Sequence, residues 1–214
     1  MIRVMSIRMK NSIALLAPVA IIFGLALTRL VPHIPNFAPI TAMALFGGAY
    51  LGRRWAFIVP LSAMALSDYL LLYVHPFSPQ IFDFSHVYPL TAALHGASWA
   101  VYLSFIISGA IGLWLQQHKS AGAIAGATLF ASLQFFFITN AAVWMGGMYD
   151  PSILGLFESY VAGLPFLRGT LLGDFFYTGA LFGGYELVRA WTSERAARFA
   201  YVPNFQTIRS PERG

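Results

Sequence analysis

Hydrophobic residues occur along this chain in six runs that are separated by shorter polar segments. The runs cover residues 13–31, 36–52, 55–74, 98–116, 121–142 and 169–191. Four of them contain few or no charged residues, the run at 36–52 is shorter, and the last carries one acidic residue near its start. A bilayer core about 30 Å thick needs roughly 20 apolar residues in a helix, and only helices or closed barrels satisfy the backbone in lipid. The pattern therefore predicts an all-α polytopic membrane protein, a bundle of six transmembrane helices.

Basic residues predict the orientation of this bundle. Eleven of the 13 lysines and arginines lie before the first run, after the second, between the fourth and fifth, at the end of the sixth, or in the C-terminal tail. The two exceptions are Arg29 and Arg168. By the positive-inside rule, both termini are expected in the cytoplasm, with the protein in the cell (cytoplasmic) membrane as a multi-pass protein. We expect one transmembrane domain over 1–191 and a polar cytoplasmic tail over 192–214, which begins as a short helical extension and continues as disordered chain.

Composition excludes several classes of protein. With 58% hydrophobic and 10% charged residues, the chain does not fit a soluble domain. The pI of 9.7 is attributed to topology and to contact with anionic lipid in the bilayer. Basic residues are not interleaved with aromatic ones as on a nucleic-acid surface, so no nucleic-acid partner is expected. The absence of cysteine excludes disulfides, thiolate metal sites and cysteine catalysis.

Two long connections are predicted on the external side, at 75–97 and 145–168, whereas the cytoplasmic turns are short. Long connections in compact proteins are often functional lids. Both segments are rich in aromatic residues, among them Tyr88, Tyr149 and Phe157. Such rings can anchor a protein at the lipid headgroups, and they can also pack as a cap. We expect these two segments to close over an external binding site.

Polar residues at membrane depth are scarce, and they gather toward the external side. Asp68 lies in the outer half of the third run, Asn140 near the end of the fifth, and Asp174 at the start of the sixth. A buried charge in a membrane is costly unless it is paired or faces water. Asp174 is expected to pair with Arg168, and Asn36 to cap the second helix. The sequence thus predicts a polar pocket between the third, fifth and sixth helices.

Histidines and short motifs indicate neither a metal site nor an enzyme. His33, His75, His86 and His95 all fall on the predicted external side. Four external imidazoles could coordinate a metal or a cobalt-bearing ligand, but their spacing matches no metal-binding motif, and histidines at a membrane interface without a metal are the commoner case. Nucleotide-binding glycine loops and the nucleophile elbow of hydrolases are both missing from the sequence. We therefore expect no cofactor, no metal and no catalytic residue, and no ATP hydrolysis by the chain itself.

Small residues recur at four-residue spacing, a pattern that lets membrane helices approach closely. The pairs are Ala20 and Gly24, Ala44 and Gly48, Gly122 and Gly126, and Gly179 and Gly183. Most are expected to pack within the bundle. The pair on the first helix could instead face a partner subunit.

Several short motifs follow one another along the chain. They are PNFAPITAMALFGGA at 35–49, VPL at 59–61, LSD at 66–68, FITNAAVW at 137–144, YVA at 160–162, PF at 165–166 and TLLGDFFY at 170–177. In these motifs the chain resembles, over residues 20–188, a bacterial family of small membrane proteins that are assigned to transport but have no known function. That family is in turn similar to the S components of energy-coupling factor (ECF) transporters. These six-helix proteins bind vitamins or metal ions from outside and associate with a transmembrane coupling subunit and ATPases. A cobalamin-transporting S component uses a cysteine to ligate cobalt, and this chain has none.

The resulting hypothesis is a substrate-binding membrane subunit that takes up a small micronutrient, either a vitamin-like solute or a metal ion, captured on the external face. The residues predicted to line the pocket are Asp68, Asn140, Trp144, Tyr160, Arg168 and Asp174. Three alternatives remain open. One is a structural or assembly subunit with no ligand pocket. Another is a stand-alone channel or facilitator, which should show a polar stripe through the bilayer. The third is an intramembrane enzyme, for which the sequence offers no set of catalytic residues at a recognisable spacing.

Overall fold

The computed structural model describes residues 16–31, 34, 36–94 and 96–200, with side chains up to residue 192. Within these ranges the chain is α-helical apart from its connections, one isolated bridge between Val74 and Phe82, and a 3-10 turn at Leu90–Ala93. The helices are α1, described over Leu16–Thr28, α2 (Ile40–Tyr50), α3 (Trp55–Leu70), α4 (Ser98–Leu115), α5 (Ala121–Met145) and α6 (Ile153–Ala200). The predicted all-helical class is confirmed. We call the end of the bundle where α1 finishes and α2 starts the outer end, and the opposite one the inner end.

Two of the helices, α4 and α5, are long and apolar enough to cross a membrane. Only 44% of the apolar stretch of α4 and 28% of that of α5 is buried inside the protein. The core helix of a soluble protein would be mostly buried, whereas these two helices turn much of their apolar surface outward. The apolar helices α1, α2 and α3 are shorter.

The predicted external loop at 145–168 is wrong for most of its length, because α6 already begins at Ile153. A short turn joins it to α5, and the Ser159 hydroxyl donates a hydrogen bond to the carbonyl oxygen of Asn140 at 2.9 Å. The glycine and proline at Gly163 and Pro165, which favour helix ends, lie inside α6 instead. Gly163 is needed there because a side chain would overlap Asn140. Contact with α5 thus overrides the local preference of this segment.

At its other end α6 passes the predicted boundary at residue 191 and continues to Ala200. This confirms the predicted short helical extension of the tail. The predicted disordered part of the tail, from residue 201 onward, lies outside the described residues, as does the start of the first predicted helix at residue 13.

The centre of the bundle is α2, in which all residues from Thr41 to Ala49 are buried. It packs against α3, α4, α5 and α6. Its closest approach is to α4, where a Cβ atom on Gly48 would overlap the carbonyl oxygen of Gly109, and one on Gly112 would overlap that of Leu45. Only hydrogen atoms at these positions let the two backbones meet.

The other small-residue pairs do not bring two helices of the described bundle into close contact. The prediction that most of these pairs pack within the bundle is therefore wrong. A Cβ atom on Gly24, Gly122, Gly126, Gly179 or Gly183 would have no atom within 4 Å apart from its own helix and chain neighbours. These glycines therefore lie on open surface of the described bundle. The four-residue spacing alone could not separate them from Gly48.

We expect Gly48→Ala to destabilise the protein, because the new methyl group forces α2 and α4 apart. Overpacking of this kind costs about 1–3 kcal/mol, which would appear as a lower melting temperature of the purified protein in detergent. Gly126→Ala is the matched control, since its methyl group meets open space and alanine favours a helix. Equal melting temperatures for the two variants would contradict the close contact.

Candidate functional site

An ion pair at the outer end joins α1 to α3. Arg29 Nη2 lies 2.7 Å from Asp68 Oδ1, and the two side chains are only 12% and 16% exposed. Arg29 Nη1 also donates to the hydroxyl of Ser67, and the Tyr102 hydroxyl of α4 donates to Asp68 Oδ2 at 2.9 Å. Both charged groups therefore have an opposite charge and hydrogen-bond partners inside the protein, which a charged group away from water requires. Asp68 was predicted as a pocket residue, and its partner is Arg29.

Next to this pair lies a cleft of about 840 Å³, which we call the outer cleft. Its polar lining includes the side chains of Arg29, Asn36 and His75, and its apolar lining includes Phe77 and Phe166. A volume in the range of about 300–1,000 Å³, mostly apolar with a few polar groups, is typical of small-molecule sites. The outer cleft therefore has the dimensions and chemistry of a binding site for a small organic molecule.

Two smaller cavities adjoin the outer cleft. One of about 310 Å³, the α5–α6 cavity, shares Asn36 and Phe166 with the cleft and is also lined by Asn140. The other, of about 370 Å³, shares Arg29 with the cleft and is also lined by Asp68. The polar side chains at the outer end thus border a group of neighbouring cavities that share lining residues.

Asn36 occupies the junction between the outer cleft and the α5–α6 cavity. The Phe37 amide donates to the carbonyl oxygen of Ile34 at 2.9 Å, which closes a tight turn, and Asn36 has a φ of 59° in it. Asparagine is one of the few residues that tolerate this left-handed conformation. The predicted cap on α2 is wrong, because Pro39 holds the cap position and no side chain bonds there.

The outer segment between α3 and α4 is an ordered structure, and its tyrosines tie it to α3. The Tyr69 hydroxyl donates to the carbonyl oxygen of Tyr88 at 2.9 Å, and the Tyr88 amide donates to the Tyr73 hydroxyl at 3.1 Å. The ring of Tyr73 also stacks on Phe84. Tyr88 thus packs on α3 and the residues that follow it, whereas Phe77, Phe82 and Phe84 remain largely exposed. This segment supplies one wall of the outer cleft through His75.

Asp83 shapes the return of this segment. Its Oδ1 accepts hydrogen bonds from the hydroxyl of Ser85 at 2.6 Å and from the Ser85 amide at 2.9 Å. These two bonds lower the pKa of the Asp83 carboxyl group. The Asp83 amide in turn donates to the Tyr73 carbonyl oxygen at 2.9 Å. This bond holds Asp83 beside the residues that follow α3.

Three other predicted site residues lie along the α5–α6 hairpin and do not border the outer cleft. Trp144 Nε1 donates to the carbonyl oxygen of Asp150 at 2.9 Å and closes the turn. The Tyr160 hydroxyl donates to the carbonyl oxygen of Phe137 at 3.2 Å. Arg168 is exposed on α6. The roles that the structure gives to Trp144 and Tyr160 are contacts between the two helices.

Asp174 is buried, with 1% of its surface exposed, in the middle of the bundle. The predicted pair with Arg168 is wrong, because the carboxyl group of Asp174 instead forms hydrogen bonds with the hydroxyls of Ser132 on α5 and Thr41 on α2. Arg168 precedes Asp174 by six residues on the same helix, and its side chain is exposed at the surface. Since 153–168 is helical, Arg168 has no loop from which to turn back.

Compared with the sequence prediction, Asp68 and Asn140 border the cavities, whereas Trp144, Tyr160, Arg168 and Asp174 do not line any of these three. The prediction missed Arg29, Asn36 and His75 as lining residues of the cleft. A role for Arg29 could have been predicted from the sequence, since a basic residue inside an apolar run requires a partner.

Metal binding is not supported by clustering within the described ranges. Among residues 16–31, 34, 36–94 and 96–200, no three side chains of histidine, aspartate or glutamate come together as metal ligands would. His33 and His95 lie outside the described residues, so this statement does not include them.

The family of this chain follows from a match over nearly its whole length. A family of unknown function, DUF6580, matches residues 9–198. The chain belongs to this family. No curated protein and no solved structure matches it significantly. The match covers α1 to α6, so the outer cleft and the Arg29–Asp68 pair both fall within the DUF6580 region.

We expect Arg29→Ala to destabilise the protein strongly, because Asp68 would remain partly buried without its cation. Breaking such a pair costs about 3–5 kcal/mol. Arg29→Ala combined with Asp68→Asn should recover part of the loss, as measured by melting temperature in detergent. Arg189→Ala is the matched control, because Arg189 pairs with Glu186 on exposed surface, where a pair is worth about 0–1 kcal/mol. Equal losses for the Arg29 single and double variants would contradict the pairing.

Proposed function

We propose that the chain crosses the cell membrane six times, with both termini in the cytoplasm. The apolar surface that α4 and α5 turn outward supports this. Large apolar side chains on other helices are exposed as well, among them Ile58 of α3 at 52% and Leu172 of α6 at 58%. Exposed apolar surface on this scale would be covered by lipid tails in a membrane. The cleft would then open to the external side.

We further propose that the protein is the substrate-binding membrane subunit for uptake of a small micronutrient, and that it carries out no reaction itself. The single observation that carries this proposal is the outer cleft of about 840 Å³. It is large enough for a vitamin-sized molecule, and it lies at the end of the bundle where the charge distribution predicts the outside. An S component of an ECF transporter binds its solute at that end.

The lining of the cleft favours an organic solute over a bare metal ion. Asn36 and His75 can both donate hydrogen bonds into the cleft, whereas Arg29 and the carboxylate of Asp68 are already bonded to each other. Donors of this kind suit an acceptor or anionic group on the solute. Phe77 and Phe166 offer aromatic surface for a flat ring. A vitamin-like solute therefore fits the lining better than a cation does.

A partner subunit would pack on α1. Ala20, Gly24 and Thr28 recur at four-residue spacing, and all three are exposed in the described bundle. Small residues on one helix face let another membrane helix approach closely. In an S component this face would meet the transmembrane coupling subunit, whose ATPases would supply the energy.

The competing hypothesis is a structural or assembly subunit of a membrane complex. It requires no ligand, so the cleft would then be an unused surface feature. Ligand binding separates the two hypotheses directly.

We expect protein purified in mild detergent to carry a bound small molecule, or to gain thermal stability from one member of a panel of vitamins. A ligand at 100 times its Kd would add about 2.7 kcal/mol. His75→Ala should abolish the shift because the imidazole lines the cleft. His118→Ala is the matched control, since His118 stacks on Trp114 near the inner end of the bundle. The measurements are mass spectrometry of the extracted ligand and thermal melts. No ligand, and no shift with any member of the panel, would favour the structural subunit.

A further inference from the structure

A buried carboxyl group that lines none of the three outer cavities lies at mid-depth in the bundle. Asp174 on α6 is 1% exposed, and its Oδ2 lies 2.7 Å from the hydroxyl of Ser132 on α5. Ser132 is the twelfth of the 25 residues of α5. If α5 spans the bilayer, Asp174 therefore lies near its midplane. An ionisable group at that depth is expensive and is by default a candidate functional site.

No cation neutralises Asp174 within the described residues. The elements around it are α5, which contains no ionisable residue, and α2, whose single ionisable residue is Tyr50 at its inner end. On α6 itself the nearest ionisable residues are Tyr177 and the exposed Arg168. Arg29, at the outer end, is bonded to Asp68. A charged carboxylate in this place would thus be buried without a counter-ion, which is strongly unfavourable.

The hydrogen bonds around Ser132 are consistent with a neutral carboxyl group. Its hydroxyl oxygen lies 2.9 Å from the carbonyl oxygen of Thr128 and 2.7 Å from Asp174 Oδ2. One hydroxyl hydrogen cannot be donated fully to both oxygens. If Asp174 carries a proton, it donates to Ser132, Ser132 donates to Thr128, and every group is satisfied. The Thr41 hydroxyl can then donate to the remaining oxygen of Asp174.

Cavities lie on both sides of Asp174 along the α5–α6 seam. One helical turn toward the outer end, Thr170 lines the α5–α6 cavity. One turn toward the inner end, Thr178 lines a groove of about 430 Å³. The Thr178 hydroxyl is buried at 2% exposure and has no hydrogen-bond partner among the described residues. At 1.5 Å rise per residue, each threonine is about 6 Å along the helix from Asp174.

The inner groove carries polar groups at its mouth. Lys119, Tyr50 and Glu186 line it together with apolar residues of α5 and α6, and the Tyr50 hydroxyl donates to Glu186 Oε1 at 2.7 Å. Hydroxyls at 128, 132, 170 and 178 thus form, with Asp174, an interrupted polar stripe between the two cavities. A polar stripe of this kind is also what the channel or facilitator alternative requires.

We propose that Asp174 is a proton site through which the protein couples solute uptake to proton entry. It holds a proton at rest, releases it toward the inner groove when the α5–α6 seam opens on that side, and takes a new proton from water in the outer cavity. In each cycle one O–H bond of Asp174 breaks and one forms, one proton moves inward, and no electron is transferred. This rests on the solute binding and uptake of the proposed function. The proton gradient would then replace the coupling subunit and its ATPases as the energy source.

The protonation state is tested by infrared spectroscopy of the protein in lipid vesicles. We expect the C=O band of a protonated carboxyl group at neutral pH in the wild type, and we expect Asp174→Asn to remove it. Asp150→Asn makes the same change at an exposed carboxyl in the α5–α6 turn and should leave the band in place. Ser132→Ala should shift the band, because Asp174 loses its hydrogen-bond acceptor. A wild-type spectrum that Asp174→Asn leaves unchanged would overturn the proposal.

Proton movement is tested in vesicles that enclose a pH-sensitive dye, under an inside-negative potential. We expect solute, taken from the vitamin panel, to accelerate acidification several-fold in the wild type and not in Asp174→Asn. Asp150→Asn should behave as wild type does. Thr178→Val, which keeps the shape but removes the inner hydroxyl, should slow acidification.

These experiments distinguish a loss of solute binding from a loss of proton coupling. If Asp174→Asn melts as wild type does and still shows the thermal shift with solute, but loses acidification, the coupling role is supported. Uptake that continues in Asp174→Asn, or that follows a sodium gradient and not a pH gradient, would overturn the proton role while leaving the uptake function standing. If no solute binds to any variant, the proposed function fails and the proton coupling fails with it, although the infrared band would still report the state of Asp174.

Discussion

The contact between α2 and α4 is the constraint on which the rest of the structure depends. All of α2 from residue 41 to 49 is buried, and it meets α4 at Gly48 and Gly112, where no side chain fits. This central helix has only 11 residues and begins beside the outer cleft, which Ile40 lines. The cavities that border Asn36 lie there, and the Arg29–Asp68 pair holds α1 and α3 beside them.

Two polar features of the bundle then have different characters. At the outer end, Arg29 and Asp68 satisfy each other, so their charges fix geometry and leave neighbouring donors for a ligand. At mid-depth, Asp174 has only hydroxyl partners, which suits a neutral acid that can change its state. A site that binds at one depth and a group that can titrate at another are the parts that ion-coupled uptake needs. The α5–α6 cavity and the inner groove lie along the α5–α6 seam on the two sides of Asp174.

Hydrophobic periodicity was sufficient to predict the all-helical class and the approximate places of α2 to α5, because each apolar run is long and bounded by polar residues. It failed at 145–168, which was predicted as a loop because it lies between two apolar runs, since the contact of Gly163 with Asn140 that accompanies the helix is a tertiary effect. The site was predicted less well. Pairing of Arg29 with Asp68 joins residues far apart in sequence, and no local spacing reports it. The predicted Arg168 pairing relied on sequence proximity, which the long α6 made irrelevant.

The central claim is that the outer cleft opens to the outside of a membrane-embedded bundle, and labelling of single cysteines tests it most directly. The chain has no cysteine, so each added thiol reports one position. Ser78 lines the outer cleft and Gln117 lies in the inner turn between α4 and α5. Ser78→Cys should react with a membrane-impermeant maleimide in intact cells, and a bound solute should slow that reaction. Gln117→Cys should react only after the membrane is permeabilised. Labelling of Gln117→Cys in intact cells, with Ser78→Cys protected until lysis, would contradict the account.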